Sequence, residues 1–553
     1  MPGRTVLQWD KDDCAYAGLV KFDLLGLGML SALRDCFELV AAYHGRPWSL
    51  HAIPQEDPGV YAMLQEADTV GVFQVESRAQ MATLPRLRPE KFYDLVIEVA
   101  LIRPGPIQGG SVHPYMRRRH GDEVADLPHE SMRRALDKTL GVPLFQEQMM
   151  QIAIDCAGFT PTEADKLRQA MSSKRAPERI EELRARLLEG MAARDIPEAV
   201  AEDIYTKILA FSSYGFPESH AISFAYLVYA SAWLKCYYPA AFTAALLRAQ
   251  PMGFYSPASL ISDVRRHGVQ VRGVDVNASD VLASLESPQN PTNSLLNECP
   301  SAGPAADAGR PGAGPPSGGQ PVPGQPVIRL GLSDVRNLGT DAAATIPAGR
   351  PYRNLEDFAR RTRLPAPALE ALATAGAFGC FGVGRREALW AAGAAATIRA
   401  GQLPGTTPGL TAPLLPAMTA AEETFADLWA TGTYGTHPVE HIRELLTERG
   451  VIGTDALKTA RPGATVAVAG LVTHRQQPGT ARGVVFLSLE DETGMANVIC
   501  PPQVWERHRK LAMDANALVV YGRVERLDGA VSLLAIRLRR LRVVAAARSR
   551  DFR

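Results

Sequence analysis

The sequence predicts a multi-domain α+β chain. A short strand-and-turn opening leads into a large, mostly α-helical domain, then a helix–hairpin–helix region and a C-terminal OB-type β-barrel. Three observations predict this. The 553 residues suffice for about three or four domains. Apolar residues make up 46% and charged residues 21%, which excludes disorder across the whole chain. The hydrophobic period changes from helical to strand-like at about residue 464.

In chain order, Leu19 to Leu25 reads as a strand, Gly26 and Gly28 punctuate it, and Met29 to Ala42 carries helical periodicity. From about 50 to 250 helices alternate with loops such as Arg103-Pro104-Gly105-Pro106 and Tyr214-Gly215-Phe216-Pro217, predicting one large helical domain. Pro, Gly, Ser, Ala and Asn dominate 282–326, a composition that cannot bury enough apolar surface to offset chain entropy, so a disordered insertion is expected there. Helices resume at about 333 and run to 400, and a second Pro/Gly-rich stretch covers 401–417. Five short strands follow: Val466–Val472, Gly483–Leu489, Met495–Cys500, Leu518–Val524 and Val531–Ile536. A helical segment, Gln503 to Ala512, precedes the fourth, which is the order of an OB-type barrel.

Lysine plus arginine and aspartate plus glutamate both number 59, so a globally basic nucleic-acid binder is excluded. The charge is uneven, however: 464–553 holds 14 basic against 8 acidic residues, a local excess of +6. The seven cysteines form no CxxC pair and complete no zinc pattern, which suits a reducing, cytoplasmic setting. The N-terminus lacks a secretory pattern, and the longest uncharged apolar stretch, Ala221 to Leu234, is too short to span a bilayer.

Several groups carry possible chemistry. Lys21 and Asp23 are two apart on the first strand and share a face, which suits either a solvated ion pair or a phosphate and Mg2+ contact. Pro104 forces Arg103 to be extended, and Arg117, Arg118 and Arg119 follow with no acid between 103 and 120. This is either a turn beside a solvated helix or a phosphate- and DNA-facing loop. Lys166, Arg168, Lys174 and Arg175 bracket Ala170-Met171-Ser172-Ser173, a cationic helix end of the kind that receives phosphates. His220 follows a Gly-Phe-Pro turn. Val335 to Ile346 has a helix–turn–helix pattern in which Gly339 permits the turn and the next helix offers free amides to a DNA phosphate; Leu369 to Ala377 suits a second hairpin.

These residues, in this order, resemble the bacterial C-family DNA polymerases, the family of the DNA polymerase III alpha subunit, and within it the error-prone, damage-inducible branch. The matching blocks are Gln8 to Asp13, Gly18 to Gly28, Val72 to Arg78, Arg103 to His113, Phe145 to Met150, Ala164 to Lys174, Tyr214 to His220, Tyr255 to Ser279 and Gly483 to Val498. The resemblance covers nearly the whole chain outside 282–326. It implies two-metal nucleotidyl transfer with Mg2+, on primer–template DNA and deoxynucleoside triphosphates. It puts Asp23 on the third metal-binding carboxylate of the palm and Lys21 on a phosphate-contacting lysine beside it. Arg103, Arg168 and Lys174 become candidates for the incoming nucleotide, and Ser77, Arg78 and His220 lie in family-typical blocks as further substrate-binding candidates. Arg117, Arg118, Arg119 and Gly339 remain candidates for DNA.

In the terms of that family, 1–30 is the end of the palm, 31–255 the fingers, and 256–281 the start of the helix–hairpin–helix region. Next come the insertion 282–326, a tandem helix–hairpin–helix domain 327–400, a linker with a helix 401–460, an OB domain 461–545 and a basic tail 546–553. Replicative relatives have two adjacent arginines where this chain has Arg168-Gln169. No clamp-binding peptide stands between 400 and 460, which agrees with a branch that reaches the sliding clamp through mutasome partner proteins. Family members also carry a PHP domain, an Asp-x-Asp palm strand and a thumb before the point where this sequence starts. The expectation is a C-terminal half, inactive without its missing N-terminal half. The alternative is a non-enzymatic DNA-binding remnant.

Overall fold

The computed structural model describes residues 8–9, 11–19, 26–102, 109–125, 127–171, 176–211, 216–288, 321–399, 401–478, 481, 483–527, 529–543 and 550–552. The strand expected at Leu19 to Leu25 therefore lies, after Leu19, outside the described residues.

Local chemistry sets the helix ends. The helix Leu27–His44 covers the expected Met29 to Ala42 and stops at Gly45, whose φ of 65° is left-handed. Asp57 starts Pro58–Gln65: its carboxylate accepts from the amides of Gly59 and Val60, while Pro58 needs no partner at the first turn. The helix Glu218–Tyr237 is the spine of the first helical core. It is buried continuously from Val228 to Tyr237 and packs on Phe92–Leu101, Pro58–Gln65 and Pro239–Arg248. Trp233, Tyr237, Tyr238 and Phe242 fill the centre. A second core, running from Met132 to Phe211, is built by Gln146–Ala157, Pro161–Met171, Ala176–Ala192 and Glu198–Phe211. The single helical domain expected over 31–255 thus has two cores. Among the described residues no helix is long and apolar enough to cross a membrane.

The expected insertion is ordered at both edges, which corrects the boundary at 282–326. Strands β1 (Val271–Arg272), β2 (Ser284–Glu286) and β3 (Val327–Arg329) form a small sheet in the order β1-β3-β2. Glu286 accepts from both Arg329 and Arg272, and the Val322 amide donates to the Tyr237 carbonyl. Ion pairing and backbone bonds to the fingers hold these edges, which composition alone does not reveal. Residues 289–320 lie outside the described residues.

The first hairpin is one-sided. A 3-10 turn, Leu332–Asp334, replaces the expected first helix, and Asn337 (φ 63°) and Gly339 (φ 71°) turn the chain into Thr340–Ala348. The second runs from Ala366–Thr374 through a Gly376 turn to Arg385–Ala395, and these two helices pack together.

β4 (Val451–Ile452) pairs with β5 (Thr465–Gln476), so part of the expected linker belongs to the barrel. β6 (Val485–Glu490), β7 (Met495–Cys500), β8 (Ala517–Leu527) and β9 (Ala530–Arg540) close the ring β5-β6-β7-β9-β8 and back to β5. The helix Pro502–Asp514 lies between β7 and β8, and β10 (Arg550–Phe552) adds to β5. This is OB topology. A Cβ on Gly470 would lie 2.8 Å from the Glu490 carbonyl oxygen, so the β5–β6 crossing admits no side chain there.

Candidate nucleic-acid interface

The sequence-predicted residues separate into three groups. Lys21, Asp23, Arg103 and Lys174 lie outside the described residues.

The second group is committed to the fold. Arg78 is buried at the start of Arg78–Leu87 and was expected to meet substrate. Its guanidinium instead donates to the carbonyls of Leu487 (2.8 Å) and Val498 (3.3 Å) and lies 5.2 Å above the Phe486 ring. A buried cation needs acceptors, and two barrel strands supply them; burial still lowers its pKa to about 9. Arg119 was expected at DNA. It forks onto both oxygens of buried Asp94 at 2.9 Å and donates to the Arg88 carbonyl. Arg118 holds Glu123 (3.0 Å) and the Leu140 carbonyl (2.9 Å). Arg119 and Arg118, expected at DNA, are thus engaged within the fold, Arg119 by Asp94 from another helix and Arg118 by nearby Glu123 and the Leu140 carbonyl. Ser77 precedes its helix with no side-chain cap bond, and the His220 ring packs between Phe216 and Phe224.

The third group keeps its cations at the surface. Arg117 pairs with Glu123 at 2.9 Å with 60% of its side chain exposed, and Arg168 pairs with Asp165 at 2.8 Å with 41% exposed. Gly339 is exposed, and nothing lies within 4 Å of where its Cβ would be, so the hairpin turn is open to a ligand.

Sequence reasoning missed two clusters. Asp68, Asp263 and His267 are the one metal-capable trio among the described residues. The ammonium of buried Lys235 already stands between them, 2.9 Å from Asp68 and 2.8 Å from Asp263, while His267 Nε2 lies 2.6 Å from Asp68. The cations hold the Asp68 carboxyl well below its usual range, and Asp68 raises His267. This is a structural ion network. Divalent metals want several free hard oxygens, so neither this trio nor any other described set fits a pair of Mg2+ ions. No spacing rule relates 68 to 263 and 267.

The other missed cluster is on the barrel. Arg507, Arg537 and Arg539 are exposed, and none has an acidic partner among the described residues. The +6 excess pointed to the domain but not to these side chains.

A helical region, a hairpin whose turn at Gly339 is open and a basic barrel of OB topology give the chain a multidomain architecture suited to nucleic acid. The family described as the bacterial DNA polymerase III alpha subunit finger domain matches residues 29–195, a helix-hairpin-helix motif matches 268–388, and an OB-fold nucleic acid binding domain matches 466–541. The chain is 54% identical over 559 residues to the error-prone DNA polymerase of Mycolicibacterium paratuberculosis, covering 100% of this chain and 48% of that one. It is likewise 54% identical to the same-named protein of Mycobacterium tuberculosis and 52% identical to that of Corynebacterium efficiens, each again over 100% of this chain and 48% of the relative. Among solved structures, asparaginyl-tRNA synthetase from Pyrococcus horikoshii matches 18% of this chain and 23% of its own at 22% identity, with a TM-score of 0.15. The sequence is thus similar to the bacterial DNA polymerase III alpha subunit over its finger domain and to error-prone DNA polymerases along its whole length. It spans about half the length of the curated relatives it matches.

Proposed function

We propose that this chain is the fingers, hairpin and barrel portion of an error-prone DNA-directed DNA polymerase that copies damaged template. The observation that carries this is 54% identity over the whole chain to proteins of that name. The basic barrel and the open Gly339 turn support a hold on primer–template DNA, and exposed Arg168, with Lys174 and Arg103, is assigned to the triphosphate of the incoming nucleotide. Asp23 is assigned to the metal-binding carboxylates, with Lys21 beside it. Mg2+ is the ion proposed for the longer protein; the described residues of this chain provide no set that fits it. Mutasome proteins, and through them the sliding clamp, are the proposed partners, in the cytoplasm.

Primer extension tests the proposal. The chain alone is expected to extend nothing above background, and adding the other half of a relative restores extension that Asp23→Asn removes. Extension by the chain alone, abolished by the same substitution, refutes the expectation that further carboxylates lie outside it. No extension in either state refutes the polymerase assignment.

A further inference from the structure

The barrel's usual strand-binding surface is covered. OB folds take oligonucleotides on the face of their second and third strands, flanked by the loop between the first two strands and the loop between the last two. Here the second and third strands are β6 and β7. Arg78 lies on them, bonded to the Leu487 and Val498 carbonyls with its guanidinium over Phe486. The turn between β8 and β9 meets the same helix: a Cβ on Gly529 would lie 3.4 Å from Cβ of Pro85. One element of the fingers, Arg78–Leu87, thus occupies both the strand face and the last loop.

The cations without an acidic partner among the described residues stand on another face. Arg537 and Arg539 alternate on the outside of β9, opposite Tyr521 and Val519 of β8. The Arg539 guanidinium lies 5.7 Å from the Tyr521 ring centre. Arg507 and Lys510 are exposed on the helix Pro502–Asp514, which packs on β9. Burial lowers the His508 pKa, and the charges of Arg507 and Arg537, both beside that ring, lower it further. Residues two apart on a strand are roughly 6.6 Å apart, close to the phosphate repeat of a nucleic-acid strand. A row of arginines beside a half-buried aromatic ring is the chemistry that tracks a single strand without reading its sequence.

The outer face of β8 at Ala517 and Val519 packs on Val439 and Leu446, which leaves β9 and its neighbouring helix. From this juxtaposition the geometry points to a single-stranded DNA track along Arg537 and Arg539 of β9, past the edge of Tyr521, and over the adjoining helix Pro502–Asp514, with β6–β7 kept as a protein joint. The inference rests on the proposed polymerase role and says where the unpaired template runs. The test is binding of the full chain to a fluorescent oligothymidylate over a salt series, for the parent and for an Arg507→Gln, Arg537→Gln, Arg539→Gln triple variant. These side chains are exposed and have no acidic partner among the described residues, so the fold is expected to survive, as circular dichroism would check. The triple variant is expected to bind roughly tenfold or more weakly, with its salt slope smaller by about 2, at about 0.7 per lost phosphate contact. Equal affinity and slope in the two proteins overturn the inference, as does absence of binding by the parent. Duplex competing better than single strand against the parent also overturns it. Primer extension by the chain joined to its complementary half reads the polymerase assignment separately, so extension that persists alongside an inert triple variant discards the track alone.

Discussion

Replacing Arg78 by methionine tests whether the fingers and barrel are held as one body. Methionine fills most of the volume but donates nothing. The Leu487 and Val498 carbonyls then lose the guanidinium that bonds both, and Phe486 loses the cation above its ring. Hydrogen bonds to a charged group contribute about 1.5–3 kcal/mol each when the partner is left buried. The cation over an aromatic ring adds about 0.5–2 kcal/mol. Against this, the variant is spared the desolvation of a fully buried cation, which is already expressed in the depressed Arg78 pKa. A net weakening of about 2–4 kcal/mol at the joint remains. Because a multi-domain chain need not unfold in one step, the readout is amide hydrogen exchange in β6, β7 and Arg78–Leu87. Protection there is expected to fall by about 30-fold or more, from roughly 1.4 kcal/mol per tenfold. Protection in the Met132–Phe211 core is expected to stay unchanged. Unchanged exchange in β6 and β7 refutes the joint.

Two further outcomes follow from buried charge. Lys235→Met leaves Asp68 and Asp263 facing each other without their shared ammonium, and removing one member of a buried ionic set costs about 3–5 kcal/mol, read as a lower first melting transition in calorimetry. An unchanged transition contradicts the structural reading of that trio. Glu98 is fully buried in Phe92–Leu101 with neither carboxylate oxygen bonded to a described residue, and burial pushes its carboxyl from 4.5 up to about 8. Its folded value is raised, so its favourable contribution is complete below about 4.5 and declines as pH climbs through 8. Glu98→Gln is expected to melt like the parent at pH 4 and above it at pH 8. A variant that parallels the parent at both pH values rules out a neutral Glu98.

The barrel was legible in the sequence because its strands are rich in β-branched and apolar residues and are separated by turns; each of the five expected strands overlaps an observed one. The helical region was legible as helical but not as two cores, since periodicity shows which face is buried and not against what. The ordered edges of the insertion were hidden for a related reason. Ser284–Glu286 is three residues long, and its order comes from Arg329, more than 40 positions away. Arg78 illustrates the limit for site residues. An arginine in a family-typical block looks the same in the sequence whether its partner is a phosphate or a strand carbonyl 400 residues on.

That limit has an energetic form which ranks the remaining candidates. A cation can serve a nucleic acid only if leaving its present partner costs less than the phosphate returns. Exposed ion pairs contribute about 0–1 kcal/mol, so Arg117 leaves Glu123 at little expense, and the pair of Arg168 with Asp165 is of the same weak kind. Arg119 is different: Asp94 beneath it is nearly fully buried, and its release would strand that carboxylate at a cost of about 3–5 kcal/mol. Arg507, Arg537 and Arg539 have no acidic partner among the described residues to leave. DNA contacts on the described surface should therefore fall on the barrel arginines first, on Arg117 and Arg168 next, and on Arg118, Arg119 and Arg78 not at all. Single Gln substitutions across these positions, each measured as a change in salt slope, would show that order, and an effect of Arg119→Gln on slope without loss of thermal stability would break it.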